Sequence, residues 1–219
     1  IGLGCFAEFN GADAGLRFVE LNNDGRVDII SGLGDFEPGG GCVDGTDRKA
    51  WLNVYSTGTA PYWEEASVYT PPVCFTEATG STDNGRYLID FTGDGLTDII
   101  SGRADSTGCP ASRKGAYVND GSGWVEDDSW EPPECFLNSP GIDQGYRFTD
   151  VNGDGLIDIV HGKRSDAPNF DCTSNERKAW LNNGSGWTRD DRYEPPVCFV
   201  EFNNGVDRGY RILDINGDG

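Results

Sequence analysis

The sequence predicts an all-β chain built from tandem four-stranded antiparallel meanders, and three observations carry that prediction. A nine-residue Asp/Gly pattern, clearest at Asp150-Val151-Asn152-Gly153-Asp154-Gly155-Leu156-Ile157-Asp158, recurs from Glu20 to Asp28, from Asp90 to Asp98 and from Asp214 to Gly219. Its fifth position falls at Asp24, Asp94, Asp154 and Asp218, at spacings of 70, 60 and 64 residues, and self-similarity at this period marks an array of equal modules. The segments between the loops are short β-branched and aromatic runs with period-2 alternation, and none keeps a helical period.

The third module shows each element most cleanly. Gly145 to Asp150 alternates as a first strand, and the Asp/Gly loop follows. Leu156 to Val160 is a short apolar run with β-branched residues, the mark of a strand covered on both faces. A polar loop from Lys163 to Glu176 carries Cys172, and Lys178-Ala179-Trp180-Leu181 reads as the third strand. Asn182 to Gly186 is a turn. Trp187 to Glu194 reads as the fourth, outer strand, stopped by Pro195-Pro196 because proline cannot donate to a ladder.

Other landmarks keep the same beat. Cys-Phe occurs at Cys5, Cys74, Cys135 and Cys198, the last three after a Pro-Pro-x triplet. Ala-aromatic-aliphatic-Asn occurs at 50–53, 116–119 and 179–182. A Gly stands five residues before each loop (Gly15, Gly85, Gly145, Gly209), with an Asp two residues earlier (Asp13, Asp83, Asp143, Asp207). The resulting division is 1–72, 73–133 and 134–196 for three modules and 197–219 for the start of a fourth, about three and a half modules of a longer array. One such sheet buries little by itself and must stack on its neighbours, either radially as the blades of a β-propeller or linearly as an open or helical array.

Composition narrows the function. The formal net charge is −20, with 37 acidic against 17 basic residues, and no basic face is visible for nucleic acid. No run is long and apolar enough for a membrane helix. The seven cysteines alternate between two repeat positions, Cys5, Cys74, Cys135 and Cys198 in one and Cys42, Cys109 and Cys172 in the other. One disulfide per module in an extracellular or cell-surface setting follows. Two frameworks are open: Cys5–Cys42, Cys74–Cys109 and Cys135–Cys172, or Cys42–Cys74, Cys109–Cys135 and Cys172–Cys198. Zinc would need closer spacings and more histidine than His161 alone.

In the loops, alternate residues carry oxygen, which suits a hard cation, above all Ca2+, at one ion per complete loop. The expected ligands are Glu20, Asn22, Asp24, the Arg26 carbonyl and Asp28; Asp90, Thr92, Asp94, the Leu96 carbonyl and Asp98; and Asp150, Asn152, Asp154, the Leu156 carbonyl and Asp158. The fourth loop offers Asp214, Asn216 and Asp218. Three bound ions would bring the net charge from −20 to −14. Glu20 is longer than Asp and Thr92 is neutral, so the third site is expected to be the tightest. A plain polar turn explains one such loop, but four recurrences with acids at alternate residues favour the cation. An EF-hand is excluded, because position 12 is Ser31, Ser101 and His161 and the flanks are strands.

Phe148 to Gly162 followed by Trp180 to Trp187 resembles the FG-GAP/VCBS repeats, the blades of integrin-α-type propellers and of several secreted lectins, and "WLNNGSGW" is also similar to propeller repeats in Rhs/Tc-type toxin shells. The resemblance spans the chain three times over, although the cysteines and Pro-Pro-x-Cys-Phe marks lie outside that family's general pattern. Three functions are weighed. The first is a Ca2+-stabilised, disulfide-stapled extracellular repeat protein with a structural role in a fibre, coat or adhesin, partnered by its own copies. The second is a glycan- or protein-binding propeller, and the third a toxin-shell segment. Trp124 and Trp187, beside exposed turns, are the sugar-stacking candidates, and Asn183 opens the chain's sole glycosylation sequon. Trp51, Tyr117 and Trp180 read as core, and Arg17, Arg147 and Arg211 as partners of Asp13, Asp143 and Asp207; Arg86-Tyr87 reverses that order. With one His, no Gly-x-Ser-x-Gly elbow and no phosphate loop, a non-enzymatic role is expected.

Overall fold

The computed structural model describes residues 13–34, 48–76, 83–138, 141–165, 172, 176–202 and 204–213. Three four-stranded antiparallel sheets follow one another, each in simple sequence order. The first comprises β1 Leu16–Val19, β2 Asp28–Gly32, β3 Arg48–Val54 and β4 Tyr62–Glu65. The second comprises β5 Arg86–Ile89, β6 Asp98–Gly102, β7 Lys114–Asn119 and β8 Trp124–Glu126. A two-residue hairpin, β9 Leu137–Asn138 with β10 Ile142–Asp143, precedes the third, β11 Tyr146–Thr149, β12 Asp158–Gly162, β13 Arg177–Asn182 and β14 Trp187–Arg189. The tandem meander read from the sequence is the fold.

Register is the same in all three sheets. Ile30 faces Ala50, Ile100 faces Ala116 and Val160 faces Ala179. The constant Gly lets the first strand pass close to the end of the second, and it sits at positive φ in each module. A Cβ on Gly15, Gly85 or Gly145 would lie 2.7, 2.7 or 2.5 Å from the carbonyl oxygen of Gly32, Gly102 or Gly162, so no other residue fits.

The outer strand is shorter than expected. In the third module it ends at Arg189, and a 3-10 turn spans Asp191–Tyr193. Asp190 causes this: its side chain accepts the Arg192 N–H, while its own N–H bonds the Ala179 carbonyl, so the chain leaves the sheet one turn before the proline pair. Ser67–Tyr69 and Asp128–Trp130 repeat the turn, the latter capped by Asp127. The Cys-Phe segment then crosses back: the Phe75, Phe136 and Phe199 amides donate to the Gly32, Gly102 and Gly162 carbonyls. Phe75, Phe136 and Phe199 are each at most 2% exposed. Each opens the next module in sequence yet completes the preceding sheet in space.

The cores lie between sheets. Val19, Leu21, Ile30 and Ala50 of the first module pack with Phe75 and Ile99 of the second. Phe91, Ile100 and Ala116 of the second pack with Phe136, Tyr146, Ile159 and Trp180 of the third. Ile99 and Ile100 are chain neighbours that point to opposite faces and enter different cores, and both are wholly buried. The middle sheet is therefore sandwiched, which is why its second strand reads as a continuous apolar run. Trp51 and Trp180, expected in the core, are 5% and 6% exposed, and Tyr117 packs against the first inter-module core.

Candidate functional site

The three complete Asp/Gly loops link the first and second strands of their sheets. Each turns through positive φ at positions four and six: Asn23 and Gly25, Gly93 and Gly95, Gly153 and Gly155. Asn23 is the non-Gly residue at these positions, and its short polar side chain suits the left-handed region. The loop acids divide into two kinds. Asp28, Asp98 and Asp158 at position nine are wholly buried. Asp158 accepts the Val151 N–H at 3.0 Å and the Asn182 N–H at 2.7 Å, tying the loop to the third strand; Asp28 and Asp98 do the same with Leu21 and Asn53 and with Phe91 and Asn119. Burial pushes all three carboxyls up, Asp98 to about 6.

The first- and fifth-position acids are more open and organise the turn itself. Asp150 accepts the N–H groups of Gly153, Asp154 and Gly155, and Asp90 those of Gly93, Asp94 and Gly95. Asp154 accepts the Leu156 N–H and the Asn152 side-chain amide. In the first loop Glu20 accepts the Asn22 and Asp24 amides, and Arg26 pairs with Asp24 at 2.5 Å. The structure thus brings Glu20, Asn22 and Asp24, Asp90, Thr92 and Asp94, and Asp150, Asn152 and Asp154 into three like turns. Among the described residues no group of three or more His, Cys, Asp and Glu side chains converges closely enough to hold a metal ion. Asp214, Asn216 and Asp218 lie outside the described residues.

The first and second loops are also held by the module that follows them. Asn119 donates its side-chain N–H to the Leu21 carbonyl at 3.0 Å, and Asn182 donates to Phe91 at 2.7 Å. Both asparagines are at most 2% exposed. The final Asn of the Ala-aromatic-aliphatic-Asn motif is thereby an inter-module tie. Trp124 and Trp187 have the same role: their indole N–H groups donate to the Tyr69 and Trp130 carbonyls, and their rings pack against the inter-module cores. Asn183 stands exposed in the turn between β13 and β14 and accepts the Ser185 N–H.

The disulfides are Cys109–Cys135 and Cys172–Cys198, with Cα separations of 5.7 and 5.6 Å. Cys74 is also disulfide-bonded. Of the two frameworks, these bonds select the one that staples the polar loop after the second strand to the Cys-Phe segment completing that sheet; Cys74–Cys109 and Cys135–Cys172 do not form. Cys5 and Cys42 lie outside the described residues. Such bonds persist in oxidising compartments. Among the described residues no helix is long and apolar enough to cross a membrane.

Two clefts occupy equivalent places beside the second and third sheets. The smaller, about 170 Å3, is lined by Asn84, Arg86, Ser101, Arg103 and Tyr117 among others. The larger, about 480 Å3, is lined by the counterparts Gln144, Tyr146, His161 and Lys163 together with Glu134 and the Cys109–Cys135 bridge. In the larger, Glu134 accepts from the Tyr146 hydroxyl and the Lys178 ammonium. Burial raises the Glu134 carboxyl, but those hydrogen bonds outweigh it and hold the group below its usual range. Burial lowers His161 to about 4 and leaves its Nδ1 without a hydrogen-bond partner. The sequence reading singled out neither cleft; the signal was the unlike residue before each Cys-Phe, Val73 against Glu134.

No protein-family model and no curated protein matches this chain. Among solved structures it is similar to an Agrocybe aegerita lectin described as recognising non-reducing terminal N-acetylglucosamine, at 15% identity and a TM-score of 0.48. The alignment covers 84% of this chain and 40% of the lectin's, so the chain spans well under half of that protein.

Proposed function

We propose that this is a secreted, non-enzymatic, Ca2+-stabilised repeat protein of FG-GAP/VCBS type whose modules serve a structural role, as a segment of a fibre, surface coat or adhesin. The observation that carries the reading is the placement of Ile99 and Ile100 in two successive cores. Each sheet offers an apolar face to the module before it and another to the module after it. A module that is adhesive on both faces extends by repetition, and its natural partner is a further copy of itself. The disulfides fix the segment that completes each sheet, which suits a protein exposed to an extracellular medium.

Calcium fits the donor chemistry. Each complete loop offers only oxygens: side chains at positions one, three, five and nine and a carbonyl at position seven. The fifth-position carboxylates Asp94 and Asp154 use only part of the about four acceptor sites an ionised carboxylate has, whereas Asp90 and Asp150 accept four donors each, so an ion would take the place of some of their turn N–H bonds. Ion binding would offset the mutual repulsion of acids two to four residues apart and stiffen the turn between the first two strands. Residues Asp150, Asn152, Asp154 and Asp158 would hold it in the third module. Thermal unfolding in millimolar Ca2+ and in chelator tests this, with electron microscopy of the Ca2+-replete protein. A higher melting temperature with Ca2+ and end-to-end particles are expected. An unchanged melting temperature together with discrete monomers at every concentration would sink the reading.

A further inference from the structure

The cleft beside the second sheet carries a charge arrangement that its counterpart beside the third sheet lacks. In the first and third modules the residue order after the constant Gly is apolar or aromatic and then Arg: Leu16-Arg17 and Tyr146-Arg147. Those arginines pair with Asp13 at 2.7 Å and Asp143 at 3.1 Å. The second module has Arg86-Tyr87. Successive strand residues point to opposite faces, so the exchange carries the guanidinium to the other side of the sheet. Tyr87 takes the core side, edge-on to Phe136 at 5.2 Å. Arg86 enters the cleft, where the third module places Tyr146.

There Arg86 forms no ion pair among the described residues. One terminal nitrogen donates to the Cys74 carbonyl at 2.6 Å, and its Nε is buried with no hydrogen-bond partner. Burial lowers it to about 10, so it remains a cation at neutral pH. Arg103, Arg113 and Lys114 line the same cleft. Arg113 reaches Asp105 at 3.4 Å, Lys114 reaches Glu131 at 2.6 Å and Arg103 donates to Asn84 at 2.7 Å, so Arg86 is the cation of this wall to which an acidic group would be new. In the third module a carboxylate is built in: Glu134 meets Tyr146 and Lys178. Its counterpart in the second module is Val73, which has no charge to offer.

We propose that the cleft formed by Arg86, Arg103, Arg113, Asn84 and Tyr117 binds a small oxyanion, a carboxylate or sulfate group, which takes the role that Glu134 has in the next module. Guanidinium forks match the paired oxygens of such groups. A cavity of about 170 Å3 far exceeds the ~10–15 Å3 that one water needs, and it admits an acidic group with its first waters. The chain's net charge of −20 opposes anions at long range. Screening over a Debye length of about 8 Å at physiological salt leaves the local cluster to decide. The free anion and an acidic group on a saccharide share this chemistry.

The test is a titration of the intact chain with inorganic sulfate and, separately, with glucuronate, followed by the NMR signal of the Arg86 Nε–H and by calorimetry. Two variants serve as controls that the fold already tolerates elsewhere. R86L installs the residue of the first module, and V73E installs the carboxylate of the third. Saturable binding of either probe to the parent is expected, at least about tenfold weaker in both variants, as befits loss of a charge-assisted hydrogen bond. Tighter binding of glucuronate assigns the pocket to carboxylated saccharides, and tighter binding of sulfate to sulfated ones or the free anion. Linear, unsaturable shifts with both probes, or an affinity unchanged in folded V73E, overturn the proposal. Array assembly does not enter the measurement, so its failure and that of the structural reading are separately visible.

Discussion

The second and third modules share a backbone and differ in what they bury beside it. Both have a β-branched aliphatic residue facing Ala at the sheet centre, the asparagine tie to the preceding loop, a Trp donating across the junction and the same disulfide. Beside this common frame the second module places Arg86, Ser101 and Val73, and the third places Tyr146, His161 and Glu134. Positions that close a ladder or a core tolerate one solution. Positions in the cleft are free to vary, and there the third module holds a built-in carboxylate, Glu134, while the second has Val73 in its place and Arg86 without an ion pair among the described residues. The difference teaches that repetition fixes stability and that divergence within the repeat is the place to seek ligands.

The shared frame is the easiest part to break. Each disulfide closes a loop of 26 residues. Chain-entropy arguments give about 3–4 kcal/mol for such a loop. C109A/C135A and C172A/C198A are each expected to lose that much in denaturant unfolding, and by similar amounts. A difference well above 1 kcal/mol between them would show that the two junctions are not equivalent.

His161 sharpens the contrast, because its counterparts are Ser31 and Ser101. Its folded-state value is lowered to about 4 by burial, with Glu134, Lys178 and Lys163 facing it. The unfolded chain therefore binds more protons in the window between about 6.5 and about 4. Its contribution is fully present above pH 6.5 and is lost as the pH falls through that window, by up to about 3 kcal/mol. H161S should flatten this part of the stability-versus-pH curve, while S101A should leave it unchanged. An unaltered acid slope in H161S would mean that the imidazole is solvated and that the larger cleft is open to water around it.

The ties between modules rank next. N182A strips the side-chain N–H from the buried Phe91 carbonyl, and N119A does the same to Leu21. A buried acceptor left unsatisfied costs about 1–3 kcal/mol, so both variants should melt earlier by similar amounts. Asn53, the same motif position in the first module, is only half-buried, and N53A should cost less. Equal losses in all three would place the value of this Asn within its own turn and would remove the argument for inter-module coupling.

Much of this was legible in the sequence, for a physical reason: the repeats expose ladder and core positions by comparison within one chain. The strand order, the constant Gly and the aromatic-aliphatic-Asn strand are local consequences of period and sterics. The Arg17–Asp13 and Arg147–Asp143 pairs were legible too, because they lie four residues apart. Three things were not. The disulfide framework depended on whether the Cys-Phe segment joins the sheet before it or after it, which parity cannot decide. The outer strand's early end depended on Asp190 capping a turn. The position of Trp124 and Trp187 depended on the neighbouring module, since a Trp beside an exposed turn gains its second wall only when another sheet is present.

Replacement of the built-in carboxylate is the smallest and most discriminating change. E134V gives the third module the residue of the second and leaves the Tyr146 hydroxyl and the Lys178 ammonium without their shared acceptor. Lys178 is partly exposed and can turn to solvent, so the pair itself carries little; Tyr146, 3% exposed, cannot, and its hydroxyl accounts for most of the loss. A cost of about 1–2 kcal/mol is expected in denaturant unfolding. Added glucuronate should return part of it, because a supplied carboxylate replaces the deleted one. In that variant the third cleft has the same uncharged residue before Cys-Phe as the second. Absence of rescue, with the stability loss present, would mean that the Glu134 site is too enclosed to admit an outside anion and that only the arginine-lined cleft is shaped for one.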